Sequence, residues 1–325
     1  MISAAVPPRR GRRGIVRSRL LAIALALGLP ACTATSPGSP AACGLGPGSV
    51  IPVGLAQGIP IALVSINGHP ASMVLDSGAE RSLVSIAAVS RLGLRLDHTR
   101  ISMTRGIGGG AANFDVRLDG LQLGRLAVPV RSAAMAALQV APDAGPPPDG
   151  LLGGDVLSEF EIDLDLPHRR VTFYRGRLCP GEGPPWPGEA VALPAARSAL
   201  DRLFIPVTLD GHAMRALLDT GASGSLVDTG AAAAAGLPIA ASPADPEATL
   251  SGANSSPISA RLHRFATLQV GPTTVRGPWL VAMRLPIPPG EPGYNGDLVL
   301  GSDYFLTRRV WLSYATGRIF IAQPD

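Results

Sequence analysis

Two aspartates stand in matching surroundings. Residues 73–84 read MVLDSGAERSLV and residues 216–227 read ALLDTGASGSLV, so Asp76 and Asp219 each end an apolar run and precede a hydroxyl residue, a glycine and an alanine. A strand that ends in the interior does not normally finish on a carboxylate, because burying an unpaired charge is costly. One Asp-Thr-Gly alone reads as a turn, since both Asp and Gly are ordinary turn residues. Two in duplicated contexts, 143 residues apart, are far more specific. If the copies pack in a two-fold-like pair, Asp76 and Asp219 meet at their interface. Two touching carboxyls cannot both ionise cheaply; they share a proton and titrate as a unit. The ionised partner can take a proton from a water while the protonated partner gives one to a carbonyl oxygen. Ser77 and Thr220 then have hydroxyls to bond across the interface, and Gly78 and Gly221 let backbone N–H groups approach the carboxylates.

The repeat extends to the elements that must position these residues. Upstream, Asn67-Gly68 and Asp210-Gly211 are two-residue hairpin signals, followed in each copy by a histidine, His69 or His212, that reads as a solvated hairpin end. Downstream, DGLLGGDVLSEF (149–160) parallels GDLVLGSDYFLT (296–307), with Gly153 lying 77 residues after Asp76 and Gly301 lying 82 after Asp219. The matched acids Asp155 and Asp303 read as N-caps starting short helices. Between these landmarks lie TRGIGGGAAN (104–113) and TLSGANSSPI (249–258), whose small residues allow tight turns between strands. Short helices are expected after each aspartate, in SIAAVSRLGL and DTGAAAAAGL, and a closing hairpin in each copy, FEIDLDLPHRRVTFYR and RVWLSYATGRIFIA.

Composition bounds the rest. Of the 325 residues 46% are hydrophobic and 16% charged, so a sizeable core is available; 39 Gly and 32 Pro break the apolar runs into short segments, which reads as mostly β. The formal charge of +4 is misleading, because six arginines (Arg9, Arg10, Arg12, Arg13, Arg17, Arg19) fall in the first 31 residues without an acid; subtracting six from +4 leaves −2. That balance does not support a nucleic-acid surface. The chain has no lysine, which excludes Schiff-base and P-loop lysine chemistry. No Cys-x-x-Cys occurs and the five histidines are scattered, so neither a metal nor another cofactor is expected.

Residues 1–31, arginine-rich and then apolar from Leu20 to Leu29, read as an export signal. Leu29-Pro30-Ala31-Cys32 resembles a bacterial lipobox, making Cys32 a candidate lipid attachment point; an ordinary cleaved signal with a chance cysteine is the other reading. Cys43 and Cys179 remain as an even pair, either a disulfide in an oxidising compartment or two free thiols. The organisation expected is a signal at 1–31, a tether at 32–50, a first unit at 51–178, a Pro-rich linker at 179–200 and a second unit at 201–325.

The double motif Asp76-Ser77-Gly78-Ala79 and Asp219-Thr220-Gly221-Ala222, with the later Leu151-Leu152-Gly153 and Val299-Leu300-Gly301, resembles the aspartic peptidases of the retropepsin and pepsin clan. The chain looks like two retropepsin-like units fused in one polypeptide, similar to bacterial periplasmic aspartic proteases, over about 51–325. The resemblance implies an all-β, mainly antiparallel fold of two homologous β-barrel lobes with a cleft at their pseudo-two-fold interface. It implies that Asp76 and Asp219 are catalytic and that Leu152, Gly153, Leu300 and Gly301 pack behind them. Gly106, Ile107, Gly108 and Gly109 in one lobe, and Ser251, Gly252 and Ala253 in the other, correspond to flaps over a protein or peptide substrate. The chain would then be a monomer with an internal pseudo-dimer, periplasmic and lipid-anchored or else secreted. It departs from the retroviral pattern in lacking an arginine after the later glycines, where Gly154-Asp155 and Ser302-Asp303 stand. A protease-like peptide-binding module of the cell envelope is the alternative, and a hydrolase of another class is disfavoured because no Gly-x-Ser-x-Gly elbow appears.

Overall fold

Six strands run antiparallel through the middle of the molecule, in the order Ala190–Pro194, Arg318–Ala322, Arg309–Ser313, Glu161–Asp165, Arg170–Tyr174 and Ser49–Ala56. The computed structural model describes residues 43–107, 109–138, 146–240, 242–253, 256–285 and 296–323. Three of the six strands come from each half of the chain, and the halves join where Glu161–Asp165 pairs with Arg309–Ser313. Alternation explains the placement. Ile162, Leu164, Val310 and Leu312 face the main core. On the opposite face Trp311 and Phe320 are covered by Leu178, Tyr174 and Trp186.

That second face carries the acids of Glu161-Ile162-Asp163-Leu164-Asp165, and each is partnered. Glu161 accepts from Trp311 Nε1 at 2.6 Å and from Ser313 Oγ at 2.8 Å. Asp163 receives Arg309 in a two-point contact, Nε to Oδ1 at 3.0 Å and Nη2 to Oδ2 at 2.6 Å. The guanidinium lies 4.7 Å from the Trp186 ring centroid. The two halves are therefore joined by backbone pairing and by an ion pair that is mostly withdrawn from water.

Beyond this sheet the same lobe is built twice, once from each half of the chain. In the first, Ile59–Ile66 and His69–Leu75 form a hairpin, and Gly150–Leu152 lies parallel to the latter. Then come Leu83–Ser85, Ser132–Ala136 and the long hairpin Gly109–Arg117 with Arg95–Gly106. In the second the order is Leu203–Leu209, His212–Leu218, Leu298–Leu300, Leu226–Asp228, Trp279–Met283, Ile258–Arg264 and Glu247–Leu250. The Asn67-Gly68 and Asp210-Gly211 turns have positive φ at both positions, as a tight type I′ hairpin needs. The helices after the aspartates span Ile86–Arg91 and Thr229–Ala234, capped by Ser85 and Asp228 side chains.

The expected N-caps are a correction. The helices Gly154–Leu157 and Ser302–Phe305 are preceded by Gly153 and Gly301 at the cap position, with no side-chain cap. Asp155 and Asp303 instead reach sideways to Ser82 and Ser225. The assigned linker also contains structure: Ala190–Pro194 is the edge strand of the central sheet, where a proline is tolerated because its missing N–H faces no partner. Residues 44–50 of the assigned tether likewise hold Gly44–Leu45, paired with Gly176–Arg177, and the start of Ser49–Ala56. A disulfide joins Cys43 to Cys179, Cα–Cα 4.9 Å, closing the chain around the first lobe.

Removing one partner of the Asp163–Arg309 pair leaves a buried charge alone. Arg309→Met is expected to lower the unfolding free energy by about 3 kcal/mol or more, and Arg309→Met with Asp163→Leu to recover most of it, as read by urea denaturation.

Candidate active site

The sequence puts Asp76 at the end of His69–Leu75 and Asp219 at the end of His212–Leu218, and the fold brings these two strand ends together. Each loop is held from behind. Asp76 N–H donates to Leu152 O and Asp219 N–H to Leu300 O, both at 3.0 Å. Ser82 N–H and Oγ–H both donate to Asp155 at 2.7 Å, while Ser82 Oγ accepts from Gly153 N–H at 3.0 Å. The second lobe repeats this with Ser225, Asp303 and Gly301. Gly153 and Gly301 admit no side chain, since a Cβ would lie 2.6 Å from backbone atoms of Arg81 and Gly224 respectively.

The loops also hold each other. Thr220 Oγ1–H donates to Leu75 O at 2.6 Å, and Ser77 Oγ–H donates to Leu218 O at 2.9 Å. Ser77 N–H donates to Thr220 Oγ1 and Thr220 N–H to Ser77 Oγ, each at 3.1 Å. Both hydroxyl residues are 1% exposed, so water does not compete for these bonds.

Each carboxylate accepts two N–H groups of its own loop. Asp76 Oδ1 takes Gly78 and Ala79 at 3.0 and 2.8 Å; Asp219 Oδ1 takes Gly221 and Ala222 at 2.9 and 3.0 Å. Each carboxyl also lies against the opposite glycine. A Cβ on Gly78 would stand 2.3 Å from Asp219 Cγ, and one on Gly221 would stand 2.4 Å from Asp76 Cγ. Burial pushes both above the usual aspartate range, Asp76 further because the Asp219 charge opposes its ionisation. The two residues keep a minor exposed part and are otherwise enclosed by protein.

The glycine-rich segments are hairpin tips, and they meet. A Cβ on Gly106 would lie 2.3 Å from Ala253 O, so the tips touch through backbone. Ile107 packs against the second lobe's cluster of Phe204, Leu217 and Val299, whereas Ala253 packs against the first lobe's Ile59, Val74 and Leu83. Gly109 begins the return strand of the first hairpin, and Ser251 and Gly252 lead into Ala253. Gly108 and Cys32 lie outside the described residues, as do 1–31. Among the described residues no group of His, Cys, Asp and Glu is placed to hold a metal ion, and no helix is long and apolar enough to cross a membrane.

A family model described as aspartyl protease matches the chain twice, over residues 62–156 and 205–304, once in each lobe. The chain belongs to the aspartyl protease family. Its fold is similar to the crystal structure of aspartic proteinase from Irpex lacteus, with a TM-score of 0.50 and 11% identity over 86% of this chain and 98% of that one. No curated protein matches.

Within this aspartyl protease frame one buried cation was missed in the sequence. Arg202, 3% exposed, reaches across the interface to within 3.9 Å of Glu80 and lies 5.7 Å from the Phe204 ring centroid. Its charge favours the ionised form of Asp219. Arg202 stands 17 residues before Asp219; the place 17 before Asp76 is Ile59. Comparing the copies position by position is the signal that finds it.

The cross-lobe hydroxyl has a measurable weight. Thr220→Val leaves Leu75 O and Ser77 N–H without that partner and is expected to cost about 2–4 kcal/mol in urea unfolding, with Thr220→Ser recovering most of the loss.

Proposed function

We propose that the protein is an aspartic endopeptidase in which Asp219 and Asp76 activate a water against a peptide carbonyl. The observation that carries this is the mutual nesting of the two carboxyls. Each is held by two N–H groups, pressed against the other loop's glycine and raised in pKa. Such a pair keeps one proton where isolated aspartates keep none. Asp219, nearer the Arg202 charge, is the general base and Asp76 the acid. The base takes a proton from water, the oxygen attacks the carbonyl carbon, and the acid protonates the carbonyl oxygen. Collapse of the resulting diol breaks the C–N bond, the nitrogen takes a proton, and the pair is left again with one. No covalent bond to the enzyme forms. Gly106, Ile107, Gly109 and Ser251–Ala253 close over the substrate chain.

Export completes the reading: residues 1–31 direct it, Cys32 carries a lipid anchor in the periplasm, and the lobes work as one monomeric pseudo-dimer. The Cys43–Cys179 disulfide supports an oxidising compartment.

Asp76→Asn and Asp219→Asn are each expected to lower kcat for peptide hydrolysis by about 10³-fold or more, and the double variant no further than the worse single one. Unchanged cleavage in both variants sinks the proposal. The pH profile should be a bell bounded by the two apparent pKa values of the pair. The raised pKa also sets a stability trend. The folded pair binds its proton more tightly than the unfolded chain does, so stability falls as pH rises from the ordinary aspartate range through the raised values. Asp76→Asn removes that loss. It is expected to be more stable than the native chain at neutral pH, with the gap closing in acid, by urea titration at several pH values.

A further inference from the structure

The duplication is broken beside the first dyad loop. The pairing registers make Arg81, Asp115 and Ser132 of the first lobe equivalent to Gly224, Leu262 and Trp279 of the second. In the first lobe these residues form a charged knot beside the dyad loop. Arg81, five residues after Asp76, donates Nη2–H to Asp115 Oδ2 at 2.7 Å and to Ser132 Oγ at 3.0 Å. It also contacts Ser102 on the flap strand. In the second lobe the place of Arg81 faces open space, Leu262 joins an apolar cluster and Trp279 is exposed.

A cavity of about 350 Å³ opens from this knot, with Ser132 in its wall. Arg95, Arg100, Arg117 and Arg131 line it, against Asp97 and Asp119. The lining thus carries two more cations than anions. The flap strand is built for this. Its pairing with Gly109–Arg117 slips between Asp97 and Ile101, leaving residues 98–100 out of the ladder. A bulge re-aims side chains, and here Arg100 Nε comes to 3.5 Å from Asp115, a carboxylate already held by Arg81. Asp115 is fully buried, whereas the side chains of Arg95, Arg100 and Arg117 are more than half exposed.

We propose that this cavity is a subsite for an acidic stretch of the substrate polypeptide, extending the cleft past Arg81 and giving the enzyme a preference for chains with carboxylates at one end of the bound segment. The inference rests on the endopeptidase reading for what lies in the cleft. A polypeptide is favoured over a free anion or a lipid surface because the cavity shares Ser132 with Arg81, which is bonded to the flap and lies next to the dyad loop. Guanidinium forks match carboxylates in two-point contact.

The test has a catalytic and a binding arm, both on the full mature chain. Two peptides of equal length are compared, one with a Glu-Asp run beyond the cleavage site and one with Gln-Asn there. The native protein is expected to show a KM about fivefold to tenfold lower for the acidic peptide, fading with added salt. Arg100→Gln with Arg131→Gln should reduce the difference to less than about twofold, with kcat on the neutral peptide unchanged. In Asp76→Asn, fluorescence anisotropy should show the labelled acidic peptide bound more tightly than its neutral isostere, and the arginine substitutions should remove that difference. Equal KM values in the native protein overturn the subsite and leave the endopeptidase reading intact. Arginine-dependent binding with no hydrolysis of either peptide keeps the subsite and overturns the endopeptidase reading. Displacement of the acidic peptide by inorganic phosphate at millimolar concentration, or tighter binding to phosphatidylglycerol vesicles than to the peptide, overturns the subsite as a polypeptide site.

Discussion

Everything in this molecule answers to two carboxyls forced into contact away from bulk water. Left alone, such a pair would separate or reorient, because one of its members must carry a charge that burial penalises. The fold prevents this at three depths. Four N–H groups hold one oxygen, Oδ1, of each carboxyl. Beneath them, Ser77 and Thr220 exchange bonds with each other's strand ends. Further back, the Ser82–Asp155 and Ser225–Asp303 pairs fix each loop to the Gly153 and Gly301 segments. The absence of a Cβ at Gly78 and Gly221 follows from the same constraint: any side chain there would occupy the space of the opposite carboxyl.

Two-fold symmetry supplies the contact, but it also makes the two acids equivalent, and a reaction that needs one base and one acid gains from unequal surroundings. The frame is symmetric where it is mechanical. The Asp163–Trp311 pair sits at the centre of the lobe–lobe register, and both loops repeat the same bonds. It departs from symmetry where charge is concerned. Glu161 on one side of that register corresponds to Arg309 on the other, and Arg202 corresponds to Ile59. Fusion of the units in one chain is what permits this: a residue can be changed in one copy alone, so Arg202 can be set near Asp219 where the other copy has Ile59.

The parts legible in the sequence were those written in short-range signals. Asn67-Gly68 and Asp210-Gly211 gave the hairpins, the runs before Asp76 and Asp219 gave strands, and their recurrence gave two lobes. What was misread or missed depends on distant contacts. Asp155 follows two glycines and looks like a helix cap, yet its partner is Ser82, 73 residues earlier, and only the closed lobe makes that bond. Ala190–Pro194 was hidden among prolines because an edge strand can carry one. Arg81 and Asp115 lie 34 residues apart, and their meeting depends on the flap register, which a three-residue slip decides. Arg202 has no local signature at all.

The two hairpin tips show how symmetric frame and unequal detail combine. Each tip reaches over to the other lobe, Ile107 to the cluster around Phe204 and Ala253 to the cluster around Ile59. The lobes are thereby clasped at the cleft mouth as well as through the central sheet, and parting the tips exposes apolar surface on both lobes at once. The tips are unequal in this respect. Ile107 buries a large apolar side chain and Ala253 a single methyl, so the first lobe's tip contributes more apolar burial to the clasp. That hairpin is also the one fastened by Ser102 to Arg81 and Asp115. The fastening and the charge at its root come from one knot, where the second copy has Gly224 and Leu262.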